Sequence, residues 1–291
     1  MHATPYYFFL IVFASTQKKQ DKPRKITQKQ ITAFQHKILS FYRKHGRRLP
    51  WRRTRDPYKI LLSEIMLQQT QVQRVNTYYQ KWIHQWPTIN DLAQASQKHV
   101  LQAWMGLGYN TRAVNLHRTA QLISTKYQGD ALSAMNHYQD LPGIGKYTSQ
   151  AIRIFSTNAD IVTIDTNIRR LLIHEFHLPE TTSSTELWGL AERCLPKGKS
   201  RDWHNALMDY GALILTSRKT GISPLTQQTR FTGSDRQIRG QILRILLEAP
   251  TSQTGLQKTL DIESERLKKI LTKMIENNLI TYQNHHYQVP E

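Results

Sequence analysis

The 291-residue sequence is poor in three things. It has a single cysteine, Cys194, which excludes an internal disulfide, a thiolate-ligated zinc site and a four-cysteine iron–sulfur cluster built from this chain alone. Acidic residues are scarce, 21 against 40 Lys and Arg, for a formal net charge of +19. Such an excess costs self-repulsion and favours a polyanionic partner, nucleic acid first among them. Long apolar runs are also missing. The most apolar stretch, Tyr6-Tyr-Phe-Phe-Leu-Ile-Val-Phe-Ala14, is too short to span a bilayer and lacks the basic flank of a signal peptide. It reads as a disordered or loosely docked leader, with a targeting segment as the lesser alternative; no membrane is expected, and the single cysteine is compatible with a reducing cytoplasm.

What is present begins with Leu141-Pro-Gly-Ile-Gly-Lys-Tyr-Thr148. Pro-Gly-x-Gly between apolar-periodic segments predicts a tight turn, with a helix starting near Lys146 and running through Phe155. The first turn of such a helix carries unpaired N–H groups and the positive end of the dipole. Gly143, Gly145 and Lys146 are therefore candidate phosphate ligands. A plain turn is the commoner use of this pattern.

In chain order, residues 1–27 read as leader and linker, followed by a helix at 28–45 with Ile31, Phe34, Ile38 and Leu39 on its apolar face. Arg47 to Arg53 is a basic loop around Trp51, and Arg52 is a candidate DNA contact, although a solvated charge run is the ordinary explanation. Asp56-Pro-Tyr58 starts the next helix, with Asp as N-cap and Pro at the first helical position. Glu64 falls in the same turn as Ile60, Leu61, Ile65 and Met66, as a surface acid or as one with a raised pKa. Leu67-Gln-Gln-Thr-Gln-Val72 is a polar knot whose Gln68 and Gln69 can both donate and accept hydrogen bonds, as filling a displaced base's place requires.

Helices are expected through Val75 to Trp82 and from about Thr88 to Gln102, then from Arg112 to Ile123 after the glycine-punctuated Trp104-Met-Gly-Leu-Gly-Tyr-Asn110. Tyr109 at that tip is either a wedge for a base stack or a cap over the core. Asp165 opens a helix over Asn167 to His174, where a simple N-cap is the local reading. Further helices are expected at 184–195 and 202–216, a linker at 217–235, and three helices plus a hairpin over 236–291, the outline of a winged helix. From Arg236 onward only 8 Lys and Arg face 6 acids. That near-neutral balance argues against assuming DNA contact by the C-terminal segment.

Leu49-Pro-Trp, Asp56-Pro-Tyr, Ser63-Glu-Ile-Met-Leu-Gln-Gln-Thr-Gln-Val72, Trp104-Met-Gly-Leu-Gly-Tyr109, Arg112 through Asn115-Leu-His117, Leu141-Pro-Gly-Ile-Gly145 and Ile164-Asp-Thr-Asn167 occur in an order that resembles the helix-hairpin-helix base-excision DNA glycosylases. The adenine-specific, MutY-type branch is the most similar, and the match covers residues 28–216. The resemblance implies an all-α, two-lobed domain whose substrate is double-stranded DNA with a mispaired or damaged base, acted on by a monomer.

By the same resemblance, Glu64 protonates adenine, Asp165 stabilises the sugar cation, and Gln69 and Tyr109 match gap-filling and wedge positions. Asn167 counts among the DNA contacts. Tyr147 stands where lyase-active relatives carry a nucleophilic Lys, which points to a monofunctional enzyme, with Lys146 next door as the ambiguity. Two departures stand out. The four cysteines of an iron–sulfur cluster after the segment matching Leu213 to Arg218 are missing, so no cofactor is expected. The usual mixed α/β C-terminal module is replaced by the winged-helix-like segment. The rival readings are a thymine or uracil glycosylase for G·T or G·U mismatches and a non-catalytic DNA-binding protein.

The chemistry suits two carboxylates. Breaking an N-glycosidic bond builds positive charge on deoxyribose and negative charge on the base, so one group gives a proton and another opposes the cation. An apolar turn favours a protonated Glu64, and a helix N-terminus favours an ionised Asp165.

Overall fold

The computed structural model describes residues 26–224 and 230–291. The expected leader and part of the expected 217–235 linker lie outside them. The described chain is all-α apart from one hairpin.

Helix α1, Gln28–His45, is closed by a capping box in which Thr27 and Gln30 satisfy each other's backbone N–H, and it buries Ile31, Phe34 and Ile38. A short 3-10 turn, Pro50–Arg52, precedes α2, Pro57–Leu67, where the Asp56 carboxylate accepts from the Tyr58 and Lys59 N–H groups. Next come α3, Val72–Gln85, α4, Ile89–Gln94, and α5, Gln97–Trp104. The single helix expected from Thr88 to Gln102 is therefore two. Ala95 is extended, and the Ser96 hydroxyl caps α5 by accepting from His99 N–H, which makes the break more favourable than continuing the turn.

Helix α6 is Thr111–Lys126 and α7 is Ala131–Ala134. The element before the Pro-Gly-Ile-Gly turn is a 3-10 helix, Met135–Asp140, kinked at His137. Beyond the turn lie α8, Lys146–Thr157, α9, Thr166–Glu175, α10, Ser184–Cys194, α11, Ser200–Leu213, and the short α12, Ser217–Thr220. The C-terminal part holds α13, Asp235–Glu248, α14, Gln253–Leu260, α15, Ser264–Glu276, and the antiparallel strands β1, Thr281–Gln283, and β2, His286–Gln288.

Two cores result. One is built around α2, α3, α5, α6 and α8, with Trp82 set edge-on between Trp86 and Trp104. The other joins α1 to α9, α10 and α11, with Phe34 edge-on to Phe176 and Trp203. From α1 in the second lobe the chain crosses to build the first, and returns with α9 to α11. Two crossings and a groove between the lobes follow from that route. The buried residues of α13 to α15 continue the first core, and the Gln97 side-chain amide donates to the Asn278 carbonyl at 2.8 Å.

Candidate functional site

The groove between the lobes is an open cleft of about 710 Å³. Glu64 reaches it from the last turns of α2, Tyr147 from the first turn of α8, and Asp165 from the N-cap of α9, with Gln68, Gln69 and Asn167 on the same lining. Three motifs far apart in sequence thus line one cleft, because α2 packs on α8 and α9 starts across the groove.

Glu64 sits at the end of a helix whose other faces are buried in the first core. Burial pushes its carboxyl up to about 7, and the negative charge of Asp165 adds to the rise, while a hydrogen bond from the Tyr147 side chain and the charge of Arg52 pull it back. At neutral pH a substantial fraction holds its proton. The Tyr147 phenol is raised well above its usual value, first by burial and then by the two carboxylates, so it stays neutral and donates.

Asp165 departs from the expectation of an acid simply kept ionised by its helix. Its Oδ1 accepts from Ile168 N–H at 2.7 Å, and its Oδ2 accepts from the Asn167 side-chain amide at 3.0 Å. Burial nevertheless outweighs those donors, and its pKa is raised. Asp165 is still held by several N–H donors, and Glu64 by one hydroxyl. Those N–H donors favour the ionised form of Asp165.

Asn167 and Arg52, both read as DNA contacts, are committed inside the protein. The Asn167 Oδ1 accepts from Arg170 Nη2 at 2.7 Å, so both ends of its amide are used within the chain Arg170, Asn167, Asp165. Arg52 makes a two-pronged pair with Asp209, Nη1 to Oδ2 and Nη2 to Oδ1, each at 2.8 Å. Arg47 adds its Nε to the same carboxylate at 2.6 Å, and the Asp209 side chain is fully buried. The basic loop is a clamp between lobes, and Trp51 inside it is buried edge-on to Tyr79 rather than free to stack on a base.

Gly143, Gly145 and Lys146 of the hairpin are exposed, as a phosphate site requires. Gly143 has φ +75°, and an added Cβ would lie 3.0 Å from the Asn115 amide nitrogen. Gly145 has an ordinary φ of −94°, and a Cβ there would meet nothing in the protein. The Lys146 ammonium lies 4.4 Å from the centre of the Trp188 ring at the rim of the cleft.

Gln69 and Tyr109 sit in neighbouring turns, both in left-handed backbone, φ 58° and 49°. Tyr109 is not a free tip: the guanidinium of Arg236 from α13 lies over its ring and hydrogen-bonds its hydroxyl, and Arg112 approaches the ring as well.

Sequence reasoning missed several residues that hold this geometry. Arg112 Nη1 donates to the carbonyls of Ile65, Met66 and Gln68 at 2.7, 3.0 and 2.7 Å, and Nη2 donates to Gly108 O at 2.8 Å and to Thr70 Oγ1 at 3.1 Å. It caps α2 and ties the Gln68–Thr70 turn to the Gly106–Tyr109 turn. Gly211 leaves the room Asn167 needs, since a Cβ there would be 3.1 Å from the Asn167 Cβ. His204, held neutral by burial with its pKa pushed down to about 4, accepts the Thr163 N–H just before Asp165. Their roles are not readable locally, because most of the partners lie more than forty residues away in sequence.

The residues present do not fit a four-thiolate cluster. Cys194 is buried in the second core, and burial pushes its thiol up to about 12. Among the described residues no group of three or more His, Cys, Asp or Glu could hold a metal ion.

Residues 62–194 match the HhH-GPD superfamily of base excision DNA repair proteins. The adenine DNA glycosylase of Mycolicibacterium smegmatis is 35% identical over 241 residues, 76% of this chain and 82% of that protein. The human adenine DNA glycosylase is 36% identical over 203 residues, but the chain covers only 37% of its length. Among solved structures, a thermostable thymine-DNA glycosylase superposes with a TM-score of 0.60 at 31% identity, over 66% of this chain and 90% of that one. An endonuclease III in complex with DNA, at 17% identity and TM-score 0.59, shares the fold. With its glutamate, tyrosine and aspartate gathered in one interlobe cleft, the chain belongs to the adenine DNA glycosylase family of the HhH-GPD superfamily.

Proposed function

We propose that this protein is a monofunctional DNA glycosylase that hydrolyses the N-glycosidic bond of adenine mispaired with guanine or 8-oxoguanine. The observation that carries the reading is the meeting in one cleft of Glu64, with its pKa raised to about 7, and Asp165, whose carboxylate accepts from the Ile168 backbone N–H and the Asn167 amide. A flipped adenine beside Glu64 takes the carboxyl proton as the bond to the sugar breaks, so the base leaves neutral. The Asp165 carboxylate opposes the positive charge that grows on the sugar until water adds to it. Tyr147 donates to Glu64 and offers no amine for a covalent sugar intermediate. Lys146, the neighbouring amine, lies over Trp188, which supports hydrolysis without lyase chemistry. The exposed hairpin, with Gly145 bare toward solvent, suits a DNA phosphate next to the target nucleotide.

The 31% identity to a thymine-DNA glycosylase favours a second reading, excision of thymine from G·T mismatches. Incubation of the protein with duplexes bearing A·8-oxoguanine, A·G or G·T, followed by alkali, separates the two. Strand cleavage at adenine is expected. Cleavage confined to thymine of the G·T duplex overturns the adenine reading.

A further inference from the structure

A second cavity, about 750 Å³, lies on the far side of Gln68 and Gln69 from the catalytic cleft and shares both residues with it. One wall is the Gly106–Arg112 turn. The other is the face of α13, from Arg236 through Arg239 and Gly240 to Arg244.

The near-neutral charge of the C-terminal segment conceals how that charge is distributed. Five arginines line the cavity, Arg74 and Arg112 from the first lobe and Arg236, Arg239 and Arg244 from α13, and no carboxylate does. Asp235, which neighbours Arg236 in sequence, is turned to Arg266 of α15 at 2.8 Å. The helix also carries a cost on this face. A glycine inside a helix is about 1 kcal/mol worse than alanine, yet a Cβ at Gly240 would meet nothing within 4 Å. None of the described residues packs against that position. The glycine leaves backbone bare between Arg236 and Arg244, where a phosphodiester can approach closely. Phe231, an aromatic ring 55% exposed, stands at the lip with the Arg236 guanidinium beside it.

We propose that α13 and the Gly106–Arg112 turn form a second DNA-binding groove, which holds the backbone of the strand opposite the target nucleotide. The assignment rests on the reading that the cleft of Glu64 and Asp165 takes the flipped nucleotide. Given that, Gln69 and Tyr109 stand at the duplex axis, and a groove beyond them meets the partner strand. Charge complementarity selects the occupant: a cavity whose α13 wall carries Arg236, Arg239 and Arg244, with no carboxylate in its lining, suits a polyphosphate backbone. The contact between Arg236 and Tyr109 joins the groove to the turn that faces the base stack.

The test uses the full chain and a duplex with 2′-fluoro-deoxyadenosine opposite guanine, whose fluorine destabilises the sugar cation and blocks turnover. Binding is measured by fluorescence anisotropy over a range of salt. Arg239→Ala with Arg244→Ala is expected to weaken binding roughly tenfold or more at about 0.15 M salt and to lower the slope of log K against log salt by about two. Lys268→Ala with Lys273→Ala, an equal charge loss on α15, is expected to leave the slope near the parent's. Gly240→Leu is expected to raise thermal stability while weakening binding, a combination that loss of fold cannot produce.

Neutral methylphosphonates in the partner strand should erase the difference between the arginine variant and the parent. The same groups in the target strand should leave it. Equal slopes for the arginine variant and the parent overturn the groove, and erasure by target-strand groups overturns the strand assignment. Excision is scored separately. A protein that binds with the expected slope change but releases no adenine refutes the catalytic reading and keeps the groove.

Discussion

The Asn167 side-chain amide donates to the Asp165 carboxylate at 3.0 Å, and Arg170 fixes that amide from behind at 2.7 Å. The carboxylate proposed to face the sugar cation is therefore oriented by a residue that is itself held in place by Arg170. Asn167→Ala removes a donor that lowers the pKa of Asp165, so that pKa rises further. Because Asp165 acts ionised, the acidic limb of the rate profile moves to higher pH, and the maximal rate falls by roughly tenfold or more. The pH dependence of single-turnover excision checks this, and an unmoved acidic limb means that the Asn167 contact does not tune Asp165.

Asp209 lies buried between Arg47 and Arg52, 162 and 157 residues away in sequence. Burial pushes its pKa up, but the Arg52 hydrogen bonds and charge, with those of Arg47, more than offset this and hold it below the ordinary value. A depressed folded-state pKa means stability that is present above the unfolded pKa and lost as pH falls through the folded one. Asp209→Asn leaves two arginines facing each other in the clamp and should cost about 3–5 kcal/mol near neutral pH. The deficit should shrink as acid protonates the parent, as urea denaturation at several pH values reads directly.

The two hairpin glycines should respond differently to alanine. Gly143→Ala forces a side chain into left-handed backbone against Asn115 and lowers stability by about 1 kcal/mol or more. Gly145→Ala meets nothing in the protein, so the melting temperature should hold while DNA affinity drops. Thermal melts beside anisotropy titrations distinguish the two. Equal DNA affinity for Gly145→Ala and the parent contradicts a phosphate at the hairpin.

Arg112 satisfies carbonyls at the end of α2 and in the Gly106–Tyr109 turn through a planar fork. Arg112→Ala orphans several acceptors at once and should cost about 3 kcal/mol or more. Arg112→Lys should recover only part of the loss, because an ammonium cannot reach both turns. Chemical denaturation of the two variants measures the difference.

Local physics made much of the fold legible and the site only in part. Helices α1, α2, α8 and α9 follow from apolar periodicity, with Asp56 and Asp165 as caps and the glycine turn before Lys146, because caps and periodicity act over a few residues. The break at Ala95 was missed because the apolar spacing continues across it, although Ser96 is an ordinary cap. Composition marked the loop around Trp51 as a nucleic-acid contact, and only the fold brings Asp209 to Arg52. Likewise the N-cap position of Asp165 argues for a low pKa, and the burial that reverses the sign comes from the closing of two lobes, which no local window contains. On α13, counting charges averaged out an arginine face that appears only once the helix is set against the first lobe.

The central claim is that Glu64 supplies the proton to the departing base. Single-turnover release of adenine from an A·8-oxoguanine duplex, measured from about pH 5.5 to 9 for the parent and Glu64→Gln, addresses it most directly. The parent rate should fall as pH rises through the Glu64 value of about 7, since only the protonated acid donates. Glu64→Gln should lose that limb and react at least about a hundredfold more slowly while still binding the duplex. A Glu64→Gln protein that releases adenine at the parent rate with an unchanged profile contradicts the account.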